Sequence, residues 1–226
     1  KWKRTRLSRF LPYSILLLTL LLSIWPISFM SIYAYPHTRV SASKWIYKEI
    51  PKTATLAWEH WDDPLPLLLD GHHGGEYQTI QLTPYNEESL MKWRAFSIDL
   101  SHANYLVLSS NRVYGGIGQA QHRYPQTTRY YEALFRGDLG FTLTKTFISR
   151  PTLPFPVPLC INPYPIASYS NLAHMLTTCS GKNIEVLDDF AEESFTVYDH
   201  PKVLLFENVQ KYSADTLYKR ITEATP

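Results

Sequence analysis

AEESFTVYDHPKVLLFEN, Ala191–Asn208, is the stretch on which the fold turns. Val203 to Phe206 run apolar without a break, the pattern of a strand buried on both faces. Ahead of them stand two carboxylates, a hydroxyl, a Tyr, an Asp and a His. That polar lead-in reads in two ways. It has the residue types of an active site, and it also has the means to steer a chain into its last strand, with Asp199 capping a turn and Pro201 fixing it. How this strand joins those before it sets the kind of sheet.

Working back along the chain, apolar runs alternate with helical patterns. TATLAWEH, Thr53–His60, and the short run Thr79–Leu82 read as strands. NEESLMKWRAFSIDLSH reads as a helix capped by Asn86, with Leu90, Trp93, Phe96 and Leu100 on one face. Asn104–Ser110 is a buried strand. TTRYYEALFRGDLG is a helix capped by Thr127 or Thr128 and closed by Gly137. Phe141–Ser149 alternates, as a strand nearer an edge does. SADTLYKRITEA is a terminal helix. Residues 151–187, rich in Pro and holding both cysteines, read as a loop or insertion with one short helix over Ser168–Thr178. Strand, helix, strand, helix, strand argues for an α/β fold: a layered domain over residues 36–226 with a mainly parallel sheet. Right-handed crossovers then gather the strand C-termini on one edge, where open α/β sheets usually bind ligands.

The N-terminal part is of another kind. From Phe10 to Tyr35 no residue is charged, a run of 26. A helix needs roughly 20 residues to cross the hydrocarbon core. The run is longer than the apolar core of a signal peptide and ends in aromatics rather than small residues. We therefore expect a transmembrane helix over residues 11–35, with Pro26 kinking it. Lys1, Lys3, Arg4, Arg6 and Arg9 precede it, so residues 1–10 are expected to be a cytoplasmic basic segment. The α/β domain then lies outside the cytoplasm, at the cell membrane. In that location Cys160 and Cys179 are free to pair. Just past the membrane, Ser41 or Ser43 can cap a short helix, Lys44–Glu49. The chain opens on Lys1 rather than Met, which suggests a piece of a longer one. The net charge of +2 is too small to argue for a nucleic-acid partner.

Two constellations fall on the expected ligand edge. EHWDDP supplies Glu59, His60, Asp62 and Asp63, which can do acid–base work, bind a metal or simply cap a turn. No fixed metal spacing is present, so no metal is assigned. SSNRVYGGIG supplies Arg112 and Tyr114 but is neither a dinucleotide fingerprint nor a P-loop, and no helix is expected to start there. Arg112 can hold a phosphate or carboxylate, or pair with Asp62 or Asp63. RYPQTTRYY adds Arg129 and Tyr130, whose aromatic neighbours suit either sugar stacking or core packing. HHGGE, His72–Glu76, is a metal-like tract on a Gly-rich loop. The chain has no G-x-S-x-G elbow and no Cys–His signature.

Read together, SASKWIYKEIP…AWEHWDDPLP, ANYLVLSSNRVYGGIGQAQHRYPQTTRYYEALFRGDLGF and AEESFTVYDHPKVLLF resemble a known family. They are similar in order and wording to the C-terminal region of bacterial family 39 (protein mannosyltransferase-like) polytopic glycosyltransferases of the membrane-embedded C-type superfamily. The likeness covers roughly His37–Phe206, apart from Pro154–Leu187, which looks longer than the family's usual link. It implies a polyprenyl-phosphate sugar as donor and an acceptor on the outer face of the membrane. It also implies catalytic acids in an early external loop that this chain does not contain. No catalytic residue therefore carries over. Glu59, His60, Asp62, Asp63, Arg112, Tyr114, Arg129 and Tyr130 stand as substrate-binding candidates. The implied partners are membrane lipid and the missing N-terminal membrane helices of the same protein. Two other readings use the same residues: a stand-alone, membrane-anchored binding or assembly protein of the envelope, and a metal-dependent hydrolase built on Glu59, His60, Asp62 and Asp63.

Overall fold

A computed structural model describes residues 6–163 and 171–223. The chain opens with α1, Arg6–Met30, whose 25 residues span about 37 Å at the α-helical rise. It is long and apolar enough to cross a membrane, and it runs through both Pro12 and Pro26. Two of its hydroxyls bond back into the helix, which lowers their cost in an apolar setting: Ser14 donates to the Phe10 carbonyl and Ser23 to the Thr19 carbonyl. The helix takes in Arg6 and Arg9, so it starts earlier than the charge-free run; Lys1, Lys3 and Arg4 lie outside the described residues. A 3-10 turn, Ser31–Ala34, leads to Pro36 and then α2, Thr38–Glu49. This helix begins six residues before the expected Lys44. Pro36 stops the preceding segment, and the His37 ring accepts the Arg39 N–H as the cap.

The strands and helices that follow are β1 (Thr55–Glu59), β2 (Gln78–Leu82), α3 (Leu90–His102), β3 (Tyr105–Leu108), α4 (Arg112–Gln119), α5 (Pro125–Arg136) and β4 (Phe141–Phe147). Ser89, not Asn86, caps α3 by accepting the Lys92 N–H, while Asn86 bonds Thr83. Pro125 starts α5 in place of a threonine cap, its missing N–H costing nothing there. Gly137 ends that helix at φ 83°, a left-handed conformation that glycine adopts without a Cβ clash. Then come β5 (Thr152–Leu153), β6 (Leu159–Ile161), α6 (Asn171–His174), β7 (Ile184–Val186), α7 (Glu193–Thr196), β8 (Val203–Asn208) and α8 (Ala214–Thr222).

The main sheet has the order β2-β1-β3-β8-β4. β1 pairs in parallel with β2 and β3, and β8 pairs antiparallel with β3 and β4. The sheet is mixed, which corrects the expectation of a mainly parallel one. Four strands share a direction and β8 alone is reversed, inserted between β3 and β4. The physical reason lies in the 55 residues between β4 and β8. Among the described residues of that segment, no helix carries the chain back across the sheet, as a parallel crossover demands. β8 starts at the end of the sheet where β4 leaves, so it has to run back down. Phe141–Phe147 forms the outer edge, as its alternation implied.

Side-chain alternation on the strands divides two cores. Leu56, Val107, Val203 and Leu205 meet Ala42 and Ile46 of α2, and Ile50 just after it, on one face. Ala57, Leu106, Leu108, Leu204 and Phe206 meet Trp93, Phe96, Tyr130, Leu134, Leu217 and Ile221 of α3, α5 and α8 on the other. Burial of a side chain of this size is worth roughly 1.5–3 kcal/mol each. Both faces of β3 and β8 are covered, which is why their sequences are continuously apolar.

The segment read as a loop has structure of its own. β5, β7 and β6 form a second sheet in that order, and a disulfide joins Cys160 to Cys179. Of the short helix expected over Ser168–Thr178, residues 168–170 lie outside the described residues; the described part is the single turn α6.

Candidate functional site

The C-terminal ends of β1, β3 and β4 and the start of β8 lie on one edge of the sheet. The end of α1 is built into that same edge. Phe29 packs its ring against Phe195 and His200, at centroid distances of 5.6 and 5.7 Å. Ser149 donates to the Ile32 carbonyl, the Thr152 N–H bonds the Ser31 hydroxyl, and Thr38 donates to the Pro201 carbonyl. A helix fit to cross a membrane thus enters the domain at the edge that carries its polar clusters.

Arg39 organises the first cluster. Its guanidinium donates to Asp62 at 2.9 Å, to Asp63 at 2.5 Å and to the Ser109 carbonyl at 3.2 Å. One side chain from α2 therefore ties together the ends of β1 and β3. Asp62 also accepts from Ser110, and Ser109 donates to the Asp63 carbonyl. The Asp62 side chain is 5% exposed, whereas that of Asp63 is 60% exposed.

Arg112 lies on the expected edge but not on the expected partners. It starts α4, a helix that was not expected there, and donates to the Trp61 carbonyl at 3.0 Å. Its Nε sits 3.6 Å from Glu193, and its guanidinium lies 5.9 Å from the Tyr198 ring centroid. Asp62 and Asp63 are held by Arg39 instead, because α2 reaches the strand ends from the other face of the sheet. Trp61, at φ 80°, and Tyr198 are both largely exposed beside Arg112. Burial pushes the Glu193 carboxyl up, and Arg112 pulls it back down.

Glu59 points away from this surface. It is buried on the helix-rich face, where its carboxylate accepts the Tyr131 hydroxyl at 2.7 Å. Burial raises it from 4.5 to about 8, against the opposing effect of the Tyr131 bond. Tyr114 and Tyr130 are buried in the same core, and burial raises both phenols. Arg129 is exposed on the outer face of α5. His60 bonds Gln81 on β2. Glu59, His60, Asp62 and Asp63, close in sequence, are thus directed at three different surroundings, with only the two aspartates sharing a partner in Arg39. The edge brings together Asp62, Asp63 and Arg112; Glu59, Tyr114 and Tyr130 belong to the core. In the His72–Glu76 tract, Glu76 gathers Lys52, the His73 N–H and His72, and these hold its carboxyl down to about 2.

A second cluster was not anticipated. Arg150, just past β4, pairs with Asp189 at 2.6 Å and Glu185 at 3.3 Å and donates to the Thr178 carbonyl. Lys202 pairs with Asp189 at 2.9 Å, and His200 bonds Asp188 at 2.7 Å. All six ionisable side chains are buried. Burial raises the Asp188 carboxyl against the pull of His200, and lowers the Lys202 ammonium against that of Asp189. Asn111, Tyr114 and Thr196 line a cavity of about 10 Å³ together with Asp188, Asp189, His200 and Lys202. The sequence signal was the DD pair of VLDDF, just past the segment read as loop, with its cations 39 residues before and 13 after Asp189. Ala191–His200, the lead-in to β8, thus contributes His200 to this buried network and Glu193 to Arg112. Comparison with protein-family models, with curated proteins and with solved structures finds no match, so what this edge can do rests on its own chemistry.

Proposed function

We propose that the chain is the membrane helix and outer domain of a polyprenyl-phosphate-sugar-dependent glycosyltransferase, with α1 crossing the bilayer and the α/β domain outside the cytoplasm. The domain contacts the lipid-linked sugar or its acceptor and leaves the transfer chemistry to another part of the enzyme. One observation carries the reading: the sheet edge with Arg112, Trp61 and Tyr198 is the edge at which α1 enters, so it faces the membrane surface where a lipid-linked substrate presents its head group. A guanidinium beside the exposed Tyr198 ring and bonded to the backbone carbonyl of the exposed Trp61 suits a sugar phosphate, with charge for the phosphate and a ring face for the sugar. The acids of EHWDD are engaged by Arg39 and Tyr131, which fits a supporting role for them. The Cys160–Cys179 disulfide suits an oxidising compartment. The quoted family resemblance supplies the substrate class.

The reading frame upstream of Lys1 tests the proposal. A continuous frame encoding many membrane helices and an early external loop with paired acids supports it. An in-frame stop followed by a start codon close to Lys1 overturns it. In the full enzyme, Arg112→Gln is expected to depress transfer with little change in melting temperature; undiminished transfer would remove Arg112 from the site.

A further inference from the structure

From Pro151 to Gly181 the sequence holds no Asp, Glu, Lys or Arg, in a chain where such residues make up 19%. This charge-free insertion begins with PTLPFPVPLCI, Pro151–Ile161. Pro154 to Leu159 are all apolar and all exposed, and Phe155, Val157, Leu159 and Ile161 each show 43–56% of their surface. A globular domain does not normally present a continuous apolar loop to water.

The direction of the chain says what lies opposite. Ser149 bonds Ile32, Thr152 bonds Ser31, and β5 packs against α1, which ends at Met30. As the insertion advances from Ser149 to Leu153, its contacts step backwards along the N-terminal segment and into the apolar helix. Pro154–Leu159 comes next on that path. The loop therefore projects from the domain on the side from which α1 departs.

Its backbone is equipped for an apolar medium. Pro154, Pro156 and Pro158 have no N–H to satisfy. The Val157 N–H bonds the Phe155 carbonyl at 2.7 Å, and the Leu159 N–H bonds the Val157 carbonyl at 2.8 Å. Of these six residues, three bring no donor and two bond theirs inside the loop. An irregular segment usually meets lipid at a cost of several kcal/mol per unpaired donor. Here most of that cost is absent.

We infer that Pro154–Leu159 inserts into the head-group and upper acyl region of the bilayer that α1 crosses, making the insertion a second membrane contact. The inference rests on α1 being a membrane helix. Two attachment points, one helix and one loop, restrain the domain from rotating about the helix axis. The disulfide and the buried Arg150 network are the rigid base from which the loop extends.

Spin labels on the full chain in phosphatidylcholine vesicles test this. The native cysteines are paired, so a label attaches to one introduced cysteine at a time: Phe155→Cys, Val157→Cys, Leu17→Cys within α1, or Met91→Cys on the exposed start of α3. Collisions with oxygen against those with a water-soluble nickel chelate report depth. Labels at 155 and 157 are expected to favour oxygen several-fold more than the label at 91, and less than the label at 17. If 155 and 157 match 91 while 17 is deep, the loop is in water and the inference fails, with the helix reading intact. If 155 and 157 are shielded from both reagents, a protein surface covers the loop, and the inference also fails. A label at 17 that collides freely with the chelate overturns the membrane-helix reading, and this inference with it.

Discussion

Arg39 and Arg150 both grip two acids at the same edge of the sheet, yet they do so in different media. Arg39 holds Asp62 in the interior and Asp63 at the surface, and both acids sit side by side at the end of one strand. Arg150 holds Glu185 and Asp189, which come from β7 and the turn after it, with every partner buried. Glu59 marks a third solution a few residues away: a buried carboxylate facing a phenol, with its proton retained to about pH 8. The difference shows what each cluster is for. A pair with one foot in water contributes little and breaks cheaply, so it suits a joint between elements. A fully buried network stabilises little by comparison with an apolar core but is severely damaged by loss of one member, so it enforces a single arrangement of the insertion.

The sharpest way to break this contrast is Arg150→Met. It leaves Glu185 and Asp189 buried with Lys202 to face them, and a loss of about 3–5 kcal/mol in chemical denaturation is expected. A loss under about 1 kcal/mol would mean that water reaches the network. Removing the disulfide by Cys160→Ser with Cys179→Ser should cost about 2–4 kcal/mol for a loop of this length. Digestion confined to the insertion, with the main sheet intact, would show that the cost is local.

Arg39→Gln is expected to lose about 1–3 kcal/mol, because Asp62 keeps Ser110 but loses its counter-ion. Asp63→Asn should cost under about 1 kcal/mol. Equal losses for the two would erase the distinction between the buried and exposed halves of the clamp.

Glu59 is distinguished by a characteristic pH slope rather than by the size of its effect at one pH. Its folded value of about 8 lies above the ordinary 4.5, so the folded chain keeps a proton that the unfolded chain releases. That contribution is fully present below pH 4.5 and is lost as pH rises through about 8. Glu59→Gln should flatten the fall in melting temperature across this window and leave the variant more stable than the parent at pH 9. A slope unchanged by the substitution would show that Glu59 ionises in the fold without penalty.

Local sequence carried most of the elements. β1, β3, β4 and β8 and the helices α3, α5 and α8 are legible from period and length, since a strand buried on both faces must be apolar at every position. α4 was missed because SSNRVYGGIG contains three glycines, each a poor helix former; packing of Val113, Tyr114 and Ile117 into the core overrides that preference. The small sheet was missed because its strands are two or three residues long among prolines and acquire their meaning only by pairing. Of the candidate site, Asp62, Asp63 and Arg112 were found as the right edge, and their partners were not.

The sequence by itself determined the layers, the apolar helix and the location of charge at the strand ends, because these follow from periodicity and from the order of residues along the chain. Only the tertiary structure decided that β8 runs backwards and that Arg39 rather than Arg112 holds Asp62. Alternation is the same in either direction, so a strand's apolar pattern is silent on its orientation; that depends on the end of the sheet from which the chain re-enters. An ion pair between residues 23 positions apart likewise depends on the path of α2 across the opposite face of the sheet, and on nothing in the sequence near either charge.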